Sequence, residues 1–276
     1  IVLFGIVLFR LRYYRYPYVE LNLFTLRNVV PILIVTFFAE LAFGAEHTME
    51  EILYSEVIQL EELTKEAQYM WVLPGMYVGI LFDLYWLKVR KWKIWKLFGI
   101  AFISIAFYGM LMYFTLDMPV NIEQYRLAIF LRGFAYAILS PALMWALDES
   151  VPSLEQFFRG LFVFNILHMY LAGAAGYGIY TTIFSHFMND NIVNYGQQLT
   201  LTHLDMAHFD FGGYVGNDFL HSMMMVTIKQ VYGYVIWFAL ALAALFLLCD
   251  IPTVRTNIRK VPRWPVYAIE YLSKKR

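Results

Sequence analysis

A carboxylate inside an apolar run sets the first chemical question. The stretch ILIVTFFAELAF, residues 32–43, is aliphatic and aromatic apart from Thr36 and Glu40. An ionisable side chain deep in a bilayer costs several kcal/mol, so such residues face a bundle interior or a wet cavity and serve as proton or ion sites by default. Thr36, Glu40, Gly44 and His47 fall on one helical stripe. Glu40 is therefore a proton-coupling candidate, with a static interhelical ion pair as the alternative. Arg132, within LRGFAYAILSPAL at 131–143, is its natural partner. A nearby cation keeps a buried carboxylate charged. Arg132 could equally bind an anionic substrate or snorkel toward the interface. Asn165 and His168 share a helix face. They line a pocket, with a histidine that titrates near neutral pH, or they are satisfied by interhelical hydrogen bonds. Thr36, Arg132, Asn165 and His168 are the substrate-cavity candidates.

Asp83 precedes a basic run, Lys88, Arg90, Lys91, Lys93 and Lys96. Positive-inside topology accounts for the lysines but not for Asp83. Asp83 and Arg90 are therefore expected to form a gating contact at the cytoplasmic loop. THLDMAHFD, at 202–210, carries His203, Asp205, His208 and Asp210, and His221 follows. These side chains can ligate metals, but their spacing is irregular, so they are read as a solvated loop and no metal site is assigned. Cys249 is the sole cysteine, which excludes a disulfide framework.

The elements that position these groups follow from composition. The 276 residues are 61% hydrophobic and 15% charged, outside the range of soluble domains. Formal net charge is zero, so nothing points to nucleic acid. A helix crossing a ~30 Å hydrocarbon core needs roughly 20 mostly apolar residues. Six windows qualify: 28–45, 69–87, 97–116, 127–147, 160–183 and 231–251. The opening IVLFGIVLF reads as the tail of a seventh helix, and its abrupt start as a cut end. Residues 1–27 are then the end of a linker helix and a cytoplasmic connection, 28–251 a six-helix bundle with a long outer loop at 185–226, and 252–276 a cytoplasmic tail.

Lysine and arginine mark cytoplasmic loops. With 10–27 placed inside and sides alternated, seventeen fall on the cytoplasmic side and only Lys65, Arg126 and Lys229 outside. The C-terminus is thus expected inside. Glu40 lies five residues before the outer end of its window and Arg132 five after the outer start of its own. At ~1.5 Å per residue both sit about 7–8 Å deep, which permits the pair. The third and sixth windows carry no interior charge and are expected to face lipid. Charged first and fourth helices with uncharged third and sixth suggest a three-plus-three inverted repeat.

Several stretches then resemble a known family, the major facilitator superfamily of transporters, in its C-terminal half. YPYVELNLFTLRN (16–28), LPGMYVGILFD (73–83), LRGFAYAILSPAL (131–143), RGLFVFNILHMYLAGAAGYGI (159–179) and IKQVYGYVIWF (228–238) are similar, in order and spacing, to its fourteen-helix drug:proton antiporter branch. Two departures stand out: Leu84 occupies the place of a basic residue after Asp83, and His168 that of an arginine three residues after Asn165. The resemblance implies half of a proton-coupled secondary transporter in a bacterial inner membrane, effluxing small amphipathic compounds. It also implies a missing N-terminal half, a periplasmic adaptor as a further partner, and no cofactor beyond the proton gradient. It argues against an enzyme. The alternatives are a membrane-embedded enzyme, disfavoured by histidines that mostly sit outside the helices, and a seven-helix receptor-like protein, whose retinal form would need a lysine midway along the last helix where Lys229 is at its edge.

Overall fold

The computed structural model describes residues 23, 24, 26, 28–90, 93–116, 122–151, 153–202 and 214–248. The side chains of 46, 47, 89, 90, 195–202 and 214–219 fall outside that description. The described chain is helical throughout, without strands. Helix α1 (Val29–Ile52) continues through a π-helical turn, Leu53–Val57, and α2 (Glu62–Tyr69) is a short link to α3 (Val72–Tyr85), which ends in a second π-helical turn, Trp86–Arg90. Then come α4 (Ile94–Thr115), a 3-10 turn (Ile122–Gln124), α5 (Tyr125–Ser150), α6 (Leu154–Ile166), a third π-helical turn (Leu167–Ala172), α7 (Gly173–Thr202) and α8 (Tyr214–Leu248).

Six helical stretches are long and apolar enough to cross a membrane: Val29–Val57, Glu62–Lys88, Ile94–Thr115, Ile122–Ser150, Leu154–Asn194 and Leu220–Leu248. They match the six expected windows in number and order but extend further at their polar ends. Two boundaries differ most. The amphipathic flank EHTMEEIL, expected to leave the membrane, prolongs α1 by most of two turns. The long outer loop expected at 185–226 is helical through Thr202 and again from Tyr214. It contains no proline, so no residue in it removes a backbone donor from a helix. His203, Asp205, His208 and Asp210 lie outside the described residues, as do Cys249, the tail from 252 and residues 1–22.

Small residues decide how the helices meet. In a bilayer no hydrophobic force drives helix against helix, so close backbone approach and interhelical hydrogen bonds carry the association. The buried face of α3 is Gly75, Gly79 and Asp83, and it lies along α5. A Cβ at Gly79 would stand 2.7 Å from the Phe134 carbonyl oxygen, and one at Gly133 of α5 would run into the Val72 backbone. Helices α1 and α7 cross in the same way, glycine on glycine, at Gly44 and Gly176. A third seam joins α4 to α8, where Phe246 stacks between Trp95 (5.8 Å, 8°) and Phe102 (5.7 Å, 9°).

The expectation that the third span faces lipid is overturned. It is the most buried of the six, 61% of its apolar window, wedged between α5 and α8, whereas the second and fifth are least covered, at 22% and 17%. Composition could not have shown this, because Leu and Phe suit a helical neighbour and a lipid tail equally.

Candidate functional site

Two acids of α1 build two separate polar units. The first is centred on Glu50, which is wholly buried. Its Oε2 meets Arg132 Nη1 of α5 at 2.5 Å, and its Oε1 accepts a 2.7 Å hydrogen bond from the Tyr108 hydroxyl of α4. Tyr108 in turn shares a 2.9 Å hydrogen bond with the Tyr232 hydroxyl of α8. The Arg132 guanidinium also lies over the Tyr69 ring, 5.6 Å from its centroid. Four spans are tied at one carboxylate. Charge-assisted bonds to both oxygens are what allow it to stay buried.

The second unit is centred on Glu40. Its Oε1 lies 2.5 Å from His168 Nδ1, in the π-helical turn between α6 and α7. The approach is close but poorly aligned, an electrostatic contact more than a directed hydrogen bond. On the far side of the ring, Nε2 is 3.4 Å from the Tyr136 hydroxyl of α5. Phe164 stacks against the imidazole, and Phe43 packs edge-on to Tyr136, which fixes both rings. Unlike Glu50, this pair is partly open, with side-chain exposures of 16% for Glu40 and 20% for His168.

The expected Glu40 and Arg132 pair is therefore replaced by two pairs, and the extended first helix explains why. At ~1.5 Å per residue Glu50 sits about 15 Å further along α1 toward its C-terminal end than Glu40. It is Glu50 that reaches the level of Arg132. The matching depths inferred for Glu40 and Arg132 depended on ending the helix at 45.

Both units border one cavity of about 620 Å³ among α1, α2, α3, α5 and α7. Glu40, Thr48 and Arg132 line it, with Phe43, Tyr136 and Tyr177 as aromatic neighbours. The short helix α2 contributes Glu62, Glu66 and Lys65, the last of which reaches 2.7 Å to Glu51. The volume is within the range of ordinary small-molecule sites. Tyrosine faces beside carboxylates suit a molecule with an apolar body and a positive end.

The remaining candidates scatter. Thr36 is fully buried and its hydroxyl donates to Ile32 O at 2.9 Å, so it serves its own helix and does not line the cavity. Asn165 is exposed on α6, three residues from His168 yet apart from the Glu40 unit. Asp83 is no loop residue: it lies in the last turn of α3, 4% exposed, and neither carboxylate oxygen meets a hydrogen-bond donor among the described residues. Arg90 ends the following π-helical turn, and its side chain lies outside the described residues. Among the described residues no three His, Cys, Asp or Glu side chains gather as metal ligands would.

Sequence reading missed Glu50, Tyr108, Tyr136 and Tyr232. A signal for Glu50 existed in its ten-residue spacing from Glu40 within one continuous helix. None existed for the tyrosines, which composition assigns to interfacial belts. No protein-family model matches the chain, and no curated protein matches it.

Proposed function

We propose that this chain is half of a proton-coupled secondary transporter, that its cavity is one wall of a translocation path, and that Glu40 carries the coupled proton. The observation that carries the reading is the cavity itself: a space of about 620 Å³ between apolar spans, with a partly exposed acid from within the first span in its wall. Acids so placed mark proton and substrate paths. Two further features support it. The second span lies along the fourth, the first along the fifth, and the third against the sixth. These three pairings are unchanged when the first three spans are exchanged with the last three, which is consistent with a three-plus-three repeat, although the close packing of the third span on the fourth has no equally close counterpart between the sixth and the first. The second and fifth spans, equivalent under that exchange, are the least covered and carry outward Tyr77 (67% exposed), Tyr170 and Tyr177. A second bundle seated on those two helices would close the cavity.

The transported molecule in this reading is small and amphipathic, and the chain resides in a bacterial inner membrane. The test is proton flux in proteoliposomes that hold the full-length protein, with an interior pH dye, an imposed pH gradient and a panel of amphipathic cations. Substrate-dependent proton movement that Glu40→Gln abolishes is the expected result. A well-folded protein giving no such flux with any of the panel refutes the proposal.

A further inference from the structure

The contrast between the two acids of α1 carries a second step. Glu50 is sealed and bonded at both oxygens, so it has neither room nor an open route for a proton. Glu40 keeps access to the cavity, and its partner is a group that itself exchanges protons near neutral pH. His168 also sits in a π-helical turn, a local widening of the helix frequently found at functional sites. One turn outward from Glu40, α1 crosses α7 at Gly44 and Gly176 with almost no side chain between the backbones.

We infer that Glu40, His168 and Tyr136 form a single proton-binding site that joins the first span to the fifth beside their glycine crossing. The inference deepens the transport reading, since it names the group that shares the coupled proton. With one proton aboard, the site holds an imidazolium against a carboxylate, or a neutral imidazole against a carboxylic acid. The two forms differ only in whether the proton resides on Nδ1 or on Oε1, and no other bond changes. A second proton, taken from water in the cavity, leaves an imidazolium beside a neutral acid and removes the attraction that holds the two helices there. Tyr136 completes the site: with Nδ1 protonated and Nε2 neutral, its hydroxyl donates to Nε2, and with both nitrogens protonated it accepts instead. The other ionisable groups on the same cavity are Glu51 of α1, Glu62, Lys65, Glu66 and Tyr69 of α2, Arg132 of α5 and Tyr177 of α7. Lys65 is held by Glu51 and Arg132 by Glu50, so the nearest cations are already engaged.

The test follows the imidazole directly, by nitrogen-15 magnetic resonance of histidine-labelled full-length protein in lipid nanodiscs between pH 5 and 8. His168 is identified among the six histidines as the signal lost in His168→Gln. In the wild type its Nδ1 signal is expected to titrate. In Glu40→Gln the midpoint is expected to move by tenfold or more in proton concentration. Tyr136→Phe, which removes only a hydroxyl, is expected to displace the Nε2 signal. A His168 midpoint unmoved in Glu40→Gln overturns the inference. Should that variant not fold, an Nε2 signal unchanged in Tyr136→Phe overturns it instead. No substrate or second bundle enters this measurement, so a failed transport assay with a positive titration separates the two proposals.

Discussion

Removing the charge of Glu50 while keeping its shape is the sharpest test of the packing. Glu50→Gln leaves the Arg132 guanidinium facing a neutral amide, with Tyr108 still able to donate to the remaining oxygen. Breaking a buried ion pair from one side costs about 3–5 kcal/mol, because the other charge stays behind without compensation. Arg132 retains 15% side-chain exposure and a tyrosine face beneath it, which places the cost near the lower figure, about 3 kcal/mol. For a chain of this length each kcal/mol shifts the unfolding midpoint by roughly 2–4 °C, so a loss of roughly 6–12 °C is expected. Adding Arg132→Met removes the stranded charge and fills the space of its stem, and replacing a whole buried pair by apolar groups is often close to neutral. The double variant should therefore recover most of the loss, about 2 kcal/mol relative to Glu50→Gln alone. Thermal unfolding in nanodiscs, followed through the tryptophans, measures all three proteins. A double variant no more stable than Glu50→Gln alone would show that the Arg132 charge is not held against Glu50, and the reasoning fails.

Two further outcomes are expected from the α3 and α5 seam. Gly133→Ala forces a methyl into the Val72 backbone and should cost about 1–3 kcal/mol, as overpacking does. Gly178→Ala points into open space and should stay within about 0.5 kcal/mol, so equal midpoints for the two would contradict the close approach. Asp83→Asn keeps the shape of a buried carboxylate that meets no donor among the described residues while removing its charge, and should raise the unfolding midpoint by a few degrees. A fall would mean that the aspartate has a cationic partner.

The hydrophobic periodicity of the chain made six spans and their order legible, because a run of some twenty apolar residues has few other destinations. It did not show where a span stops, because EHTMEEIL carries acids that can ride on a helix above the membrane as readily as in a loop. That one boundary misplaced the partner of Arg132 by about 15 Å, since depth along a helix is counted from its end. Glu40 and His168 were each singled out as ionisable groups in apolar helices, yet their contact joins two spans more than a hundred residues apart and leaves no periodic trace. The uncharged third span was read outward because the same residues satisfy lipid and protein, and only neighbours such as Phe246 and Tyr232 decide between them.

A single straight helix carries both acids, and its geometry decides which part can yield. Ten residues at about 100° each amount to about 1000°, some 80° short of three full turns, so Glu40 and Glu50 point a quarter-turn apart and about 15 Å apart along the axis. Glu50 faces α4 and α5, in the most buried region of the bundle, while Glu40 faces the π-helical turn of the least buried span. A change of charge at Glu40 thus meets a helix clamped in its C-terminal half on one side and a loosely covered segment on the other. The loose side must move. Local opening is cheapest where few buried contacts hold the backbone, so Glu40→Gln should speed amide hydrogen exchange tenfold or more across 167–172 while leaving 94–115 unchanged. Equal acceleration in both segments would mean that Glu40 stabilises the bundle as a whole, and that its contact with His168 is one more static strut like the contact between Glu50 and Arg132.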